Sequence, residues 1–98
     1  MKGTNVRVKL IGGLSKSTSK SPIEIELPEP STISNLIKYL ATSYGLDFGY
    51  FFSRNTARID ETLTLIIING REINTLEGLE TKIKNGDLVA FIPVAHGG

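Results

Sequence analysis

The chain contains no cysteine. Disulfides, thiolate metal sites and thiol nucleophiles are therefore excluded. Histidine occurs once, as His96, two residues from the end. A histidine-based catalytic triad or a histidine-rich zinc site has too little to draw on. The acidic residues are scattered, with no pairing suited to general acid and base work. No apolar run reaches the roughly 18 residues that a membrane-spanning helix needs. The opening MKGTNVRVKL lacks the apolar stretch of a secretory signal. Net charge is only +1, so no global field points to nucleic acid or an anionic membrane. The aromatic residues fall at apolar-face positions rather than among the lysines, which argues against RNA binding. These absences predict a soluble, cytoplasmic protein that is not itself an enzyme. They predict no bound cofactor or metal, no direct nucleic-acid partner and no membrane partner.

What is present suits one domain. Ninety-eight residues, 40% of them hydrophobic, can build a single modest core. Charge is unevenly placed: Lys2, Arg7, Lys9, Lys16 and Lys20 precede the first acid, Glu24. This reads as one basic strip, either a solvated strand face or a docking face.

Periodicity supplies the elements. Val6, Val8 and Leu10 alternate with Arg7 and Lys9, predicting a half-buried strand that Gly12 and Gly13 end. LSKSTSKSP reads as a hairpin loop. Ile23, Ile25 and Leu27 alternate with Glu24 and Glu26, so a second strand is expected, its glutamates facing Arg7 and Lys9. Ser31 or Thr32 caps a helix whose apolar stripe is Ile33, Leu36, Ile37, Leu40 and Tyr44, with Gly45 as its stop. Phe48, Phe51 and Phe52 are expected to anchor a short helical turn or an ordered loop to the core, the alternative being that they line a binding groove. LTLIIING is apolar on both faces and is expected at the centre of a sheet. Asn69-Gly70 predicts a hairpin with a short return strand from Arg71. TLEGLETKI reads as a compact connection with room for one helical turn, and Asn85-Gly86-Asp87 as a turn. LVAFIP is the final strand, which Pro93 stops because it has no N–H to donate. The first and last strands are expected to pair in parallel. One long helix on one face of a mixed sheet of four to five strands is an α+β architecture.

The sequence then ends VAHGG. Two glycines at a random terminus are expected on the order of 1% of the time or less, and they do little for packing. They suit a different task. A free carboxylate resists nucleophiles because it is negatively charged; adenylation by ATP makes it an acyl group with a good leaving group. To be adenylated it must thread into another protein's active site, and glycine, lacking Cβ, passes a narrow channel. A persulfide attacking that acyl group yields, after reduction, a thiocarboxylate; a lysine amine yields an isopeptide bond. Either way the reactive carbon belongs to Gly98. With no cysteine in the chain, sulfur must come from a partner.

The strand order resembles the β-grasp fold of ubiquitin-like proteins. The end GDLVAFIPVAHGG is similar to that of small sulfur carriers, in which a Gly-Asp turn, a core strand and a terminal Gly-Gly recur. VRVKLIGG, TLIIIN and the final HGG resemble the ubiquitin-related modifier family, whose members donate sulfur for tRNA thiolation and are conjugated to lysines. IINGREI and FIPV resemble the small subunit of molybdopterin synthase, which passes sulfur to a pterin precursor. Pro93 departs from the first pattern and His96 from the second.

The resemblance implies a β-grasp domain over 1–93 and a flexible tail over 94–98. Gly98 is then the activated residue, with Gly97 the slender residue behind it. His96 either bonds within the activating enzyme or is a spacer. Ile92 is expected to point outward beside Pro93 and Val94, as a docking patch or as an isolated surface side chain. The implied partners are an adenylating enzyme that uses the ATP, a sulfur donor protein, and either lysine-bearing targets or a sulfur-accepting enzyme. The free protein is expected to be a monomer. A purely non-covalent β-grasp interaction module is the alternative from another class.

Overall fold

Alternation of apolar and polar residues sets the first two strands. The computed structural model describes residues 3–11, 22–44, 52–53, 58–59 and 64–93. Strand β1, Gly3–Leu10, buries Thr4, Val6, Val8 and Leu10 and exposes Asn5, Arg7 and Lys9. Strand β2, Ile23–Pro28, buries Ile23, Ile25 and Leu27 and exposes both glutamates. The two pair antiparallel, with Glu24 opposite Arg7 as expected. Glu26, however, stands opposite Asn5 rather than Lys9: with Glu24 on Arg7, the antiparallel register carries the next glutamate toward the start of β1.

A two-residue strand β3, Ser31–Thr32, leads directly into helix α1, Ile33–Tyr44. Thr32 is the cap. Its Oγ1 accepts from the Asn35 N–H at 3.3 Å, and Asn35 Oδ1 accepts from the Thr32 N–H at 2.9 Å. Each side chain thus satisfies a backbone donor that the helix start leaves open. Ile33, Leu36, Ile37 and Leu40 are buried along one stripe, with Tyr44 packed at its end. Gly45 lies outside the described residues, as do Gly12 and Gly13.

Between 45 and 63 the described residues form a small antiparallel ladder, β4, Phe52–Ser53, against β5, Arg58–Ile59. The helical turn or ordered loop expected there is thus replaced, in its described part, by strand pairing. Phe48 and Phe51 lie outside the described residues.

Strand β6, Thr64–Ile68, turns at Asn69 and Gly70 into β7, Arg71–Glu72. Both turn residues have positive φ, 51° and 84°, the combination that matches the twist of a tight hairpin. Two short 3-10 helices follow, Ile73–Thr75 and Gly78–Glu80. Strand β8, Lys82–Ile83, then pairs with β3, a contact that periodicity did not signal. Strand β9, Leu88–Pro93, closes the chain's described part.

The main sheet has the order β2-β1-β9-β6-β7. Its β1–β9 pair is parallel, as expected, and its other pairs are antiparallel. The central strand is therefore β9. β6 is interior as expected, paired by β9 on one side and by the two-residue return strand β7 on the other. Helix α1 supplies Ile33, Leu36 and Leu40 to the core opposite Val6, Val8, Val89 and Phe91 of the sheet, all at most 1% exposed. Burial of this kind contributes about 1.5–3 kcal/mol per large side chain. The architecture is the predicted α+β one, a five-stranded mixed sheet carrying one main helix. No helix among the described residues is long and apolar enough to cross a membrane.

Candidate functional site

The central strand leads to the terminal glycines. Along β9, Val89 and Phe91 are fully buried, whereas Leu88, Ala90 and Ile92 are only half-buried. Side chains alternate across a strand, so the second set lies on the sheet face away from the core. The expected outward position of Ile92 is found. It is not isolated there. Across the β6–β9 ladder Leu65 stands opposite Ile92 and Ile67 opposite Ala90, both half-buried on the same face. Five apolar side chains thus share one outer patch. On the β1 side, Arg7 pairs in register with Leu88 and Lys9 with Ala90, and both cations are exposed.

This patch explains why β6 is apolar on both faces. Ile66 and Ile68 fill the core, while Leu65 and Ile67 extend the patch begun by Ile92. Both-face apolarity here reflects one buried face and one half-buried outer face. The alternation in LVAFIP carried the missing signal, since it places Leu88 and Ala90 with Ile92.

Among the described residues, β9 runs on past its parallel neighbour. The last backbone bond described on the β1 side is Ile11 N–H to the Phe91 carbonyl, at 3.1 Å. Beyond it, Ile92 and Pro93 pair with β6, where Pro93 stands opposite Thr64. Pro93 is the last described residue and the last in the ladder. The five residues beyond it reach at most about 17 Å when extended. Val94, His96, Gly97 and Gly98 lie outside the described residues, so of the predicted site residues Ile92 and Pro93 are the two that the structure places. Among the described residues no group of three or more histidines, aspartates and glutamates is placed to hold a metal ion.

The start of β9 is held firmly. Asp87 Oδ1 accepts from Asn69 Nδ2 at 2.8 Å and Asp87 Oδ2 from the Lys84 N–H at 2.7 Å. Asn69 Oδ1 accepts from the Leu88 N–H at 3.0 Å. The Gly86 N–H donates to the Asn5 carbonyl at 2.7 Å, and Asn85 Oδ1 accepts from the Asn5 N–H at 2.8 Å. Strand β9 is thereby fixed at its start to both neighbouring strands.

Residues 8–98 match the ThiS family. The chain belongs to that family. A candidate sulfur carrier protein of Archaeoglobus fulgidus is 32% identical over 85 residues, covering 87% of this chain and 93% of the relative. Among solved structures, the small archaeal modifier protein 1 of Methanosarcina acetivorans superposes with a TM-score of 0.75 at 26% identity, with complete coverage of both chains. A molybdopterin converting factor subunit 1 candidate from Pyrococcus furiosus superposes at 0.73, also with 26% identity, covering 94% of this chain and 99% of the other. The fold is the ubiquitin-like β-grasp, and the protein is a small sulfur carrier of the ThiS type.

Proposed function

We propose that Gly98 is the working atom set of this carrier: its carboxylate is activated by a separate adenylating enzyme and then transferred or sulfurated. The carboxylate oxygen attacks the α-phosphorus of ATP, pyrophosphate leaves, and a mixed anhydride forms. A persulfide on a donor protein attacks the carbonyl carbon, and AMP leaves. Reduction of the resulting acyl disulfide by a thiol frees the thiocarboxylate. If a lysine amine attacks instead, AMP again leaves, a proton is lost and an isopeptide bond remains. The chain is a protein substrate throughout and supplies no catalytic group of its own. ATP belongs to the activating enzyme.

The observation that carries this reading is the family match, which runs through Gly97 and Gly98. Its structural support is the fixed central strand that ends at Pro93, next to a five-residue apolar patch. That patch suits docking on the activating enzyme, with Arg7 and Lys9 steering it to an acidic partner surface. Gly97 lets the tail pass a narrow channel of that enzyme, and Ile92, Pro93, Val94 and His96 are the residues offered to it for contact. The body over 1–93 acts as a handle and 94–98 as the inserted tail, in a monomer that works in the cytoplasm.

The favoured acceptors are tRNA awaiting thiolation, through its modifying enzyme, and protein lysines. A second acceptor, a pterin precursor, is supported by the likeness to the molybdopterin converting factor subunit at the same 26% identity as to the archaeal modifier. The test is mass spectrometry of the intact chain after incubation with a matched adenylating enzyme, ATP and a sulfur source. A gain of about 16 Da, oxygen exchanged for sulfur, is expected. An unchanged mass while the same enzyme sulfurates its own carrier overturns the reading.

A further inference from the structure

Strand β2 is one edge of the main sheet, and among the described residues no strand pairs with its outer side. The hydrogen bonds show which groups it presents there. In β1, the Arg7 N–H donates to the Asp87 carbonyl and the Ile11 N–H to that of Phe91, so odd-numbered residues of β1 bond toward β9. Thr4, Val6 and Val8 therefore bond toward β2, where they face Leu27, Ile25 and Ile23. The main-chain groups of Glu24 and Glu26 are left pointing off the edge. Pro22 and Pro28 bracket this short open stretch.

A cleft of about 400 Å³ adjoins that edge. One wall is the end of β2 and the turn after it, with Leu27, Pro28 and Pro30. The other is the outer stripe of α1, with Asn35, Lys38, Tyr39 and Thr42 at helical spacing. Tyr39, 36% exposed, is the exposed large hydrophobic side chain among the described residues.

Edge and cleft together define their occupant. A strand laid along β2 would alternate its side chains between the two sheet faces. Those beside Leu27, on the face turned to α1, would enter the cleft against Tyr39 and must be apolar. Those beside Glu24 and Glu26 would lie against two carboxylates and must be basic. A second copy of β2 fails this test, because it sets glutamate against glutamate. We propose that the free edge of β2 and the adjoining cleft receive an extended segment of a partner protein in which apolar residues alternate with lysine or arginine. Recognition of this kind takes affinity from main-chain bonds and specificity from alternate side chains. It uses neither Gly98 nor the Ile92 patch, so it stands apart from the acyl chemistry.

The probe is an eight-residue capped peptide of alternating valine and lysine, titrated into the isotope-labelled full chain. Saturable binding is expected, with slowed amide hydrogen exchange at Glu24 and Glu26 and a shifted Tyr39 ring signal. A peptide with glutamate in place of lysine should bind at least about tenfold more weakly. Glu26→Lys should weaken the valine–lysine peptide by roughly fivefold and Tyr39→Ser should weaken both peptides. The proposal is overturned by no binding at millimolar peptide, by equal affinity for the two peptides, or by protection that appears at Leu65, Ile67 and Ile92 instead. The exchange measurement needs no variant, so a variant that folds poorly leaves the test intact.

Discussion

Asn69 and Asp87, eighteen residues apart, are joined side chain to side chain at 2.8 Å. Asn69 sits in the hairpin turn after β6, and Asp87 sits in the turn before β9. Asn69 also bonds Leu88 twice, its N–H donating to the Leu88 carbonyl at 2.8 Å and its Oδ1 accepting from the Leu88 N–H at 3.0 Å. The pair therefore sets where β9 begins beside β6, and with it the position of Ile92 and Pro93.

Removing either side chain should cost about 1 kcal/mol, as these bonds lie at an exposed site. Asn69→Ala should exceed Asn69→Gly, because φ is 51° at this position and glycine tolerates that conformation. Asn69→Ala with Asp87→Ala should fall short of additivity by at least about 0.5 kcal/mol. Urea unfolding of the four proteins of the cycle measures this directly; simple additivity would remove the pair from its clamping role.

The helix cap gives a second measurement. Thr32→Ala should destabilise by about 1 kcal/mol, since it removes the acceptor for the Asn35 N–H. Thr32→Ser keeps an oxygen in place and should lose only a few tenths of a kcal/mol. Equal losses for the two variants in thermal melts would show that the methyl group, not the oxygen, matters.

Neighbours on β9 should respond differently. Phe91 is fully buried, and Phe91→Ala should cost about 3–5 kcal/mol. Ile92→Ala removes a half-buried side chain on the outer face and should cost about 1 kcal/mol. Under the proposed function, Ile92→Asp should leave a cooperative unfolding transition yet raise KM for the carrier in the adenylation reaction by about tenfold or more. An unchanged KM would take the outer patch out of docking.

Deleting Gly97 and Gly98 separates chemistry from fold. The shortened chain should gain no sulfur mass, while its Tm stays within about 2 °C, because terminal residues contribute little to packing. Cellular function that survives the deletion would favour the non-covalent interaction module instead.

The two-residue alternation in VRVKL and IEIEL assigned faces correctly, because one side of each strand is buried and the other is not. The stripe from Ile33 to Leu40 did the same for the helix. The β6 segment LIII is apolar on both faces, and periodicity alone cannot tell a strand enclosed on both sides from one whose second face stays half-buried. The β3–β8 ladder was invisible because strands of two residues have no period to read. Of the candidate site, Ile92 was legible as an outward residue, and the alternation in LVAFIP places Leu88 and Ala90 on its face; Leu65 and Ile67 joined them only once β6 and β9 were paired.

The amino-acid order by itself determined the local elements and the turn at Asn69-Gly70, and it excluded sulfur nucleophiles of the chain's own. Those properties depend on side-chain type and on near neighbours in the chain. Only the tertiary structure decided that β9 is central, that five separate apolar residues form one patch, and that the edge of β2 stands beside the cleft under Tyr39. Such features need contacts between distant segments, and strand pairing across many residues leaves no mark on the periodicity of either strand.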